Sequence, residues 1–237
     1  MIALLSSTLS PPDTPLYGGN RKSLSDQERL VQTQESIDSL RKLGFSEIFI
    51  ADNSPKQLPS ETITALSTAK LLSIPQYPFH NKGLNEAYLL LSALPFLPNA
   101  LPLIKLSARY SVNRNLINEL SSYDLAAKIE TPSRGPALMS TRYYAVKNKD
   151  VLERLLSEAL RLAYRLPFQV VGPRSLLQQI TRILFPKKDT YPYHDPTYSL
   201  EHVCALALES SGISIKQCNT LGVQGTVAGE TRNRISE

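Results

Sequence analysis

Three short polar clusters in this chain combine residue types that together hold an anion: Asp52-Asn53-Ser54, Asn81-Lys82-Gly83, and the alternation Lys105, Ser107, Arg109 within the run Leu-Ile-Lys-Leu-Ser-Ala-Arg-Tyr at 103–110. Residues two apart on an extended strand share a face, so Lys105, Ser107 and Arg109 are expected to point together. Two cations and a hydroxyl on the inner side of a buried strand require an anion, either a ligand's or a carboxylate of the chain such as Glu86. Asn81-Lys82-Gly83 sits where a loop enters a helical pattern, and a helix start offers free amides and a positive dipole to a phosphate. Lys82 adds a point charge and Gly83 permits close backbone approach. The alternative is a solvated lysine, although the helix dipole disfavours a cation there. Glu86, one turn on, reads either as a dipole-complementing surface residue or as a partner of Lys82. Asp52 suits acceptance of a hydrogen bond from a ring N–H of uracil or guanine, and equally suits closure of an Asp-Asn-Ser-Pro turn. A nucleotide diphosphate is the most economical single occupant of such a set.

These clusters need elements that bring them to one place. Two of them end short apolar runs, 48–54 and 103–110, which read as buried parallel strands, and in open α/β sheets ligands bind outside the carboxyl ends of strands. Segment 2–6 predicts a first strand, and the Pro- and Gly-rich stretch 10–20 a long loop after it. Ser25 and Glu28 have capping-box spacing, so a helix begins there, turns Leu30, Val31, Ile37, Leu40 and Leu43 to a core and stops at Gly44. A strand at 47–51, a helix over 59–69 capped by Ser60, a strand at 70–74, a helix from Lys82 with the stripe Ala87, Leu90, Leu91, Leu94, and a strand at 103–106 follow. Strand, helix, strand with short joints predicts right-handed βαβ units and a parallel sheet.

After that the pattern loosens. Segments 125–130 and 142–146 predict strands of an antiparallel addition. A helix starts at Asp150, another is opened by Pro173 and reaches Leu184, an aromatic and proline-rich functional loop spans 185–198, and a last helix covers 199–211 before Gly212. Strands are expected near 213–216 and 221–224. The whole reads as a single domain, 1–237, with a ligand-binding half at 1–110, a second half at 111–228 and a polar, mobile tail at 229–237.

Composition narrows the classes. At 42% apolar and 20% charged the chain is an ordinary globular one. The net charge of +5 fits a phosphate-bearing ligand, an anionic membrane surface or nucleic acid alike, but the basic residues are dispersed among acids, which argues against a nucleic-acid stripe. Cys204 falls in an apolar helical pattern as a core thiol, and Cys204 and Cys218 have neither a metal-ligand spacing nor a disulfide pattern, which fits a reducing, cytoplasmic setting. The N-terminal Met-Ile-Ala-Leu-Leu lacks the basic region of a signal peptide. No window approaches the roughly 20 apolar residues of a membrane span; peripheral contact with a membrane stays open. No Walker loop, Gly-x-Gly-x-x-Gly helix start, His-Glu-x-x-His or Gly-x-Ser-x-Gly occurs. His80, His194 and His202 are too few for a dedicated zinc site.

The runs Ser36-Ile37-Asp38-Ser39-Leu40, Glu47-Ile48, Asp52-Asn53-Ser54, Lys82-Gly83-x-x-Glu86-Ala87 and Lys105-Leu106-Ser107-Ala108-Arg109-Tyr110 together resemble bacterial glycosyltransferases of surface-polysaccharide synthesis with the GT-A fold. The resemblance covers about the first half of the chain. It implies a GT-A-like (Rossmann-like), mostly parallel sheet flanked by helices, a nucleoside-diphosphate sugar bound at the ends of the first strands, and a glycan or lipid-linked saccharide acceptor on the side built by the second half. Its last motif usually carries glycine where this chain has Ala108. GT-A enzymes commonly hold a divalent metal on Asp-x-Asp, which this chain lacks; Lys105 to Arg109 stand in the expected place, so the expectation is chemistry without a metal cofactor, with fixed cations neutralising the departing diphosphate. His194 and Asp195 remain a candidate ligand pair in the substrate site. Glu201, at the start of the last helix, resembles in placement the base of many inverting members, and is otherwise an ordinary first-turn acid. His202 beside it is a neighbouring group or a plain helix residue, and Tyr191, Tyr193 and Tyr198 suit stacking on a sugar or packing as a lid. The alternatives are a sugar-phosphate nucleotidyltransferase, whose glycine-rich basic loop Gly18-Gly19-Asn20-Arg21-Lys22 matches in part, and a non-catalytic anion- or nucleic-acid-binding protein.

Overall fold

Ile2 to Ser7 pairs in parallel with two different strands, Glu47–Asp52 and Leu103–Ser107, so the chain must return to the same end of the sheet before each of them. The computed structural model describes residues 1–11, 24–77, 81–133, 135–166, 172–173, 176–177, 180–181, 198–226 and 234–237. In chain order the elements are β1 (Ile2–Ser7), α1 (Asp26–Lys42), β2 (Glu47–Asp52), α2 (Ser60–Ala65), β3 (Lys70–Ser73), α3 (Lys82–Ala93), β4 (Leu103–Ser107), β5 (Tyr110–Val112), β6 (Leu125–Ala127), β7 (Ile129–Glu130), β8 (Leu138–Met139), β9 (Tyr143–Val146), α4 (Lys149–Arg165), α5 (Leu200–Ser211), β10 (Ile215–Gln217), β11 (Val223–Thr226) and β12 (Arg234–Ser236).

Among the described residues the central sheet has the order β10-β6-β9-β4-β1-β2-β3. Every neighbouring pair is parallel except those of β9, which runs antiparallel between β4 and β6. The expected antiparallel addition is therefore one strand inserted into a parallel sheet, joined by a three-stranded sheet β12-β11-β5 and a β7–β8 ribbon. The register levels the polar strand ends: Ser7 lies opposite Asp52, Asp52 opposite Ser73, and Ser6 opposite Ser107. One edge of the sheet thus collects hydroxyls and a carboxylate.

Alternation splits the strands between two cores. Ile2, Leu4, Phe49, Ala51 and Leu103 face a layer made by α3, α4 and α5, while Ala3, Leu5, Ile48, Ile50, Ile104 and Leu106 face α1 and β5. A sheet covered on both faces reads as continuous apolar runs, as these strands do. Lys105 has the parity of Leu103 and so points into the α3–α4–α5 layer, where it is fully buried.

Local signals were placed correctly where they were chemical. Ser25 and Glu28 form both bonds of the capping box of α1, and Gly44 follows that helix at φ 87°. Ser199 caps α5, and Gly212 ends it at φ 66°. The second helix departs from expectation: α2 covers only Ser60–Ala65, Pro59 occupies the cap position without a side-chain bond, and no residue of α2 is buried. Leu66, the residue after it, is fully buried, and the chain turns there instead of continuing as helix to 69. The segment read as a mobile tail includes β12, which pairs with β11 at 224–226. Most of the helix expected from Pro173 to Leu184, most of the loop 185–198 and the Gly18–Lys22 stretch lie outside the described residues, as do His80, His194 and Asp195. No helix among the described residues is long and apolar enough to cross a membrane.

Candidate functional site

The carboxyl edge of the sheet is roofed by the first turns of α3 and α5. Asn81 caps α3 by accepting from the amides of Gly83 and Leu84, and its Nδ2 donates to the carbonyl of Tyr198 at 3.0 Å. A Cβ on Gly83 would stand 2.7 Å from Leu200 Cβ, so this glycine is required by the close approach of α5. The backbone approach expected at Gly83 is thus made by a helix of the chain.

Beneath that roof lies a buried polar network. Lys105 Nζ pairs with Glu86 Oε1 at 2.5 Å, donates to Ser107 Oγ at 2.9 Å and also donates to the Thr141 carbonyl. Ser6 Oγ donates to the same Glu86 oxygen at 2.8 Å, and Ser107 Oγ reaches it at 3.5 Å. The Lys105 side chain is 0% exposed and that of Glu86 is 24% exposed. Burial by itself raises the Glu86 carboxyl, but the Lys105 charge, the hydrogen bonds from Lys105 and Ser6 and the Arg109 charge outweigh it and hold the group below its ordinary value. Lys105 is therefore already neutralised. The expectation that Lys105, Ser107 and Arg109 face a ligand together is corrected: the first two are sealed around Glu86, while β4 ends at Ser107 and a turn carries Arg109 out to solvent. Strand parity stops applying where the strand stops.

Asp52 also serves the fold. It is buried, its Oδ2 accepts from Leu9 N–H at 2.8 Å and its Oδ1 from Ser54 N–H at 3.0 Å, which ties the β1 and β2 exits together. This is the turn reading of Asp52: each oxygen is engaged by a backbone amide and the side chain is buried. Asn53 continues the tie by accepting from Thr8 Oγ1 at 2.6 Å.

The outer rim is cationic. Arg109 is exposed, lies 5.4 Å from the ring centre of buried Tyr110, and makes no ion pair among the described residues. Arg29, in the first turns of α1, donates to the Thr8 carbonyl at 3.2 Å and to the Leu24 carbonyl at 3.3 Å. Burial and the nearby Arg109 charge draw its guanidinium below the ordinary value, against Asp26 and Asp52. Two guanidinium groups close enough to disfavour one another line the mouth of the edge, and Lys82 is exposed at the start of α3. Glu201 stands half-buried in the first turn of α5, its Oε1 accepting from Thr141 Oγ1 at 3.3 Å. Thr141 thus links the Lys105–Glu86 pair to Glu201. His202 meets the Tyr198 ring edge-on at 5.1 Å between centres.

Glu201 and Lys82 stand in the first turns of α5 and α3, and Arg109 in the turn after β4. Arg29, Ser6, Thr141 and Arg142 were missed. Ser6 and Thr141 carried one usable signal, a hydroxyl abutting a buried apolar run; Arg29 in a helical pattern carried none.

The side chains at the end of β4 are an ammonium and a hydroxyl gathered on the Glu86 carboxylate, and among the described residues no three His, Cys, Asp or Glu side chains gather as ligands.

Compared with known proteins, the chain matches no family model and no curated sequence. Solved structures do resemble it. A glucose-1-phosphate thymidylyltransferase assignment from Bacillus anthracis, in complex with sucrose, aligns over 94% of this chain and 88% of that one, at 8% identity and TM-score 0.50. A nucleotide-diphospho-sugar transferase assignment from Desulfovibrio desulfuricans G20 aligns over 92% and 78% at 9% identity and TM-score 0.49. The galactosyltransferase LgtC, with donor and acceptor sugar analogues, aligns over 84% of each chain at 8% identity and TM-score 0.44. At such identities the likeness is one of fold. The thymidylyltransferase match, with the mixed sheet described above, gives the chain a GT-A-like fold.

Proposed function

We propose that the protein is a glycosyltransferase that takes its sugar from a nucleoside-diphosphate donor and passes it to a glycan or lipid-linked saccharide. The observation that carries this reading is the pair Arg109 and Arg29 at the carboxyl edge, two cations close enough to disfavour one another, of which one is exposed and without an ion pair among the described residues. A diphosphate is the ligand such an edge stabilises best. The Bacillus anthracis structure that shares the fold is described as a glucose-1-phosphate thymidylyltransferase, which supports a ligand joining a nucleotide and a sugar phosphate.

In this reading an acceptor hydroxyl oxygen attacks the anomeric carbon and a new C–O bond forms. The bond from that carbon to the diphosphate oxygen breaks, and its electron pair leaves with the diphosphate. Glu201 takes the hydroxyl proton, oriented by Thr141 Oγ1. Arg109, Arg29 and Lys82 stabilise the charge growing on the leaving group, the work a metal performs elsewhere in the fold. Lys105, Ser107 and Asp52 hold the edge in shape. We place the enzyme in the cytoplasm, with its acceptor free or presented at a membrane surface.

The test is incubation with a panel of nucleoside-diphosphate sugars in the presence of a chelator. Release of nucleoside diphosphate is expected, and Glu201→Gln should slow it by about 10²–10⁴-fold. Pyrophosphate release from a nucleoside triphosphate and a sugar 1-phosphate would instead make the protein a nucleotidyltransferase.

A further inference from the structure

A second cationic centre lies further along the same edge and plays no part in the chemistry above. Lys128 follows the end of β6 and Arg142 precedes the start of β9, its neighbour in the sheet. Both converge on one oxygen: Arg142 Nη1 lies 2.5 Å and Lys128 Nζ 3.7 Å from Glu237 Oε1. Lys128 also pairs with Glu130 at 2.7 Å. On its other side Arg142 abuts Tyr110, the ring on which Arg109 is stacked. Arg109 and Arg142 thus both reach Tyr110, and Lys128 meets Arg142 across Glu237.

The Glu237 carboxylate fits this place poorly. One oxygen takes both contacts, while Oε2 is buried without a hydrogen-bond partner, which is a costly way to hold a charged group. Arg142 offers Glu237 a single nitrogen where its guanidinium fork is built to grip two oxygens. A group with three or more oxygens on one centre would use the donors that a carboxylate leaves idle. The backbone of Glu237 is fixed by N–H and C=O bonds to Val223 at 2.9 and 2.8 Å, so rotation of the side chain alone opens the place without unpairing β12.

We infer that Arg142 and Lys128 form a phosphate subsite in which the Glu237 side chain stands in for the ligand. The phosphate belongs either to the donor diphosphate or to a phosphorylated acceptor; that attribution rests on the transfer reading, whereas the subsite itself does not. Glu237 then acts as a gate that an incoming phosphate must displace.

Calorimetric titration of the full chain with inorganic pyrophosphate tests this. Glu237→Gln keeps the shape and removes the competing charge, and should tighten binding about tenfold. Adding Arg142→Gln or, separately, Lys128→Gln to Glu237→Gln should abolish the gain, and circular dichroism shows whether each variant is folded; Arg142→Lys, which keeps the charge, provides a third reading. Competition then assigns the source: nucleoside diphosphate that displaces pyrophosphate from Glu237→Gln marks a donor subsite, and simultaneous binding of both marks an acceptor subsite. Unchanged or weaker pyrophosphate binding in folded Glu237→Gln overturns the proposal, whatever the transfer assay shows.

Discussion

Lys105 and Arg109 leave the same short stretch of chain with the same charge, yet one is sealed under α3 in contact with Glu86 and the other stands in solvent beside Tyr110. The first is held by three polar groups of the protein itself and lies over the Tyr144 ring, the second by none with opposite charge among the described residues. A cation at a strand end is thus not in itself a ligand group. Whether the chain supplies the counter-charge decides between a rivet and a hook.

That contrast is most severely tested by removing the rivet. Lys105→Ala leaves the Glu86 carboxylate in a largely buried place without its partner, and the loss should be about 3 kcal/mol in denaturant titration. Lys105→Met with Glu86→Gln should recover most of it; if the single and double variants are equally unstable, the pair is not the origin of the effect. Gly83→Ala comes next, since a Cβ there meets Leu200 Cβ at 2.7 Å. Prying α3 from α5 should cost about 1–3 kcal/mol and, by moving Glu201, depress turnover more than donor binding.

Arg109→Gln is the counterpart on the exposed side. It should leave stability within about 0.5 kcal/mol and weaken nucleoside-diphosphate binding about tenfold, with a shallower salt dependence. A tenfold loss of stability in place of binding would merge the two roles that the geometry separates.

The smallest effect concerns acid. Glu86 and Glu158 both titrate below their ordinary value of 4.5, Glu158 at about 2 through its hydrogen bonds from Arg161 and Ser210. A depressed carboxylate contributes stability that is present above the unfolded value and is lost as pH falls through the folded one. Melting temperature should therefore decline below pH 4.5. Glu158→Gln, which unties Ser210 of α5 from α4, should remove about 1–2 °C of that decline, as expected of a partly exposed pair.

Much of the frame was readable from residue order. The runs ending at Asp52 and Ser107, the capping box at Ser25 and Glu28, and the stops at Gly44 and Gly212 are local statements, fixed by backbone chemistry and by alternating burial, and each appears in the structure where the sequence placed it. The second half was less legible because β6, β7, β8 and β9 are each two to four residues long, too short for any period to show. β9 alone reverses direction, and nothing in Tyr-Tyr-Ala-Val states a direction.

The sequence by itself determined that a parallel α/β sheet would present Asp52, Lys82, Lys105, Arg109 and Glu201 near strand and helix ends, because side-chain spacing and capping act over a few residues. Only tertiary structure decided which of those charges were already satisfied. Glu86 reaches Lys105 across 19 positions, Thr141 reaches Glu201 across 60 and Glu237 reaches Arg142 across 95. Charge pairing depends on distance in space, and that distance exists only once α3, α5 and β12 have closed on the sheet.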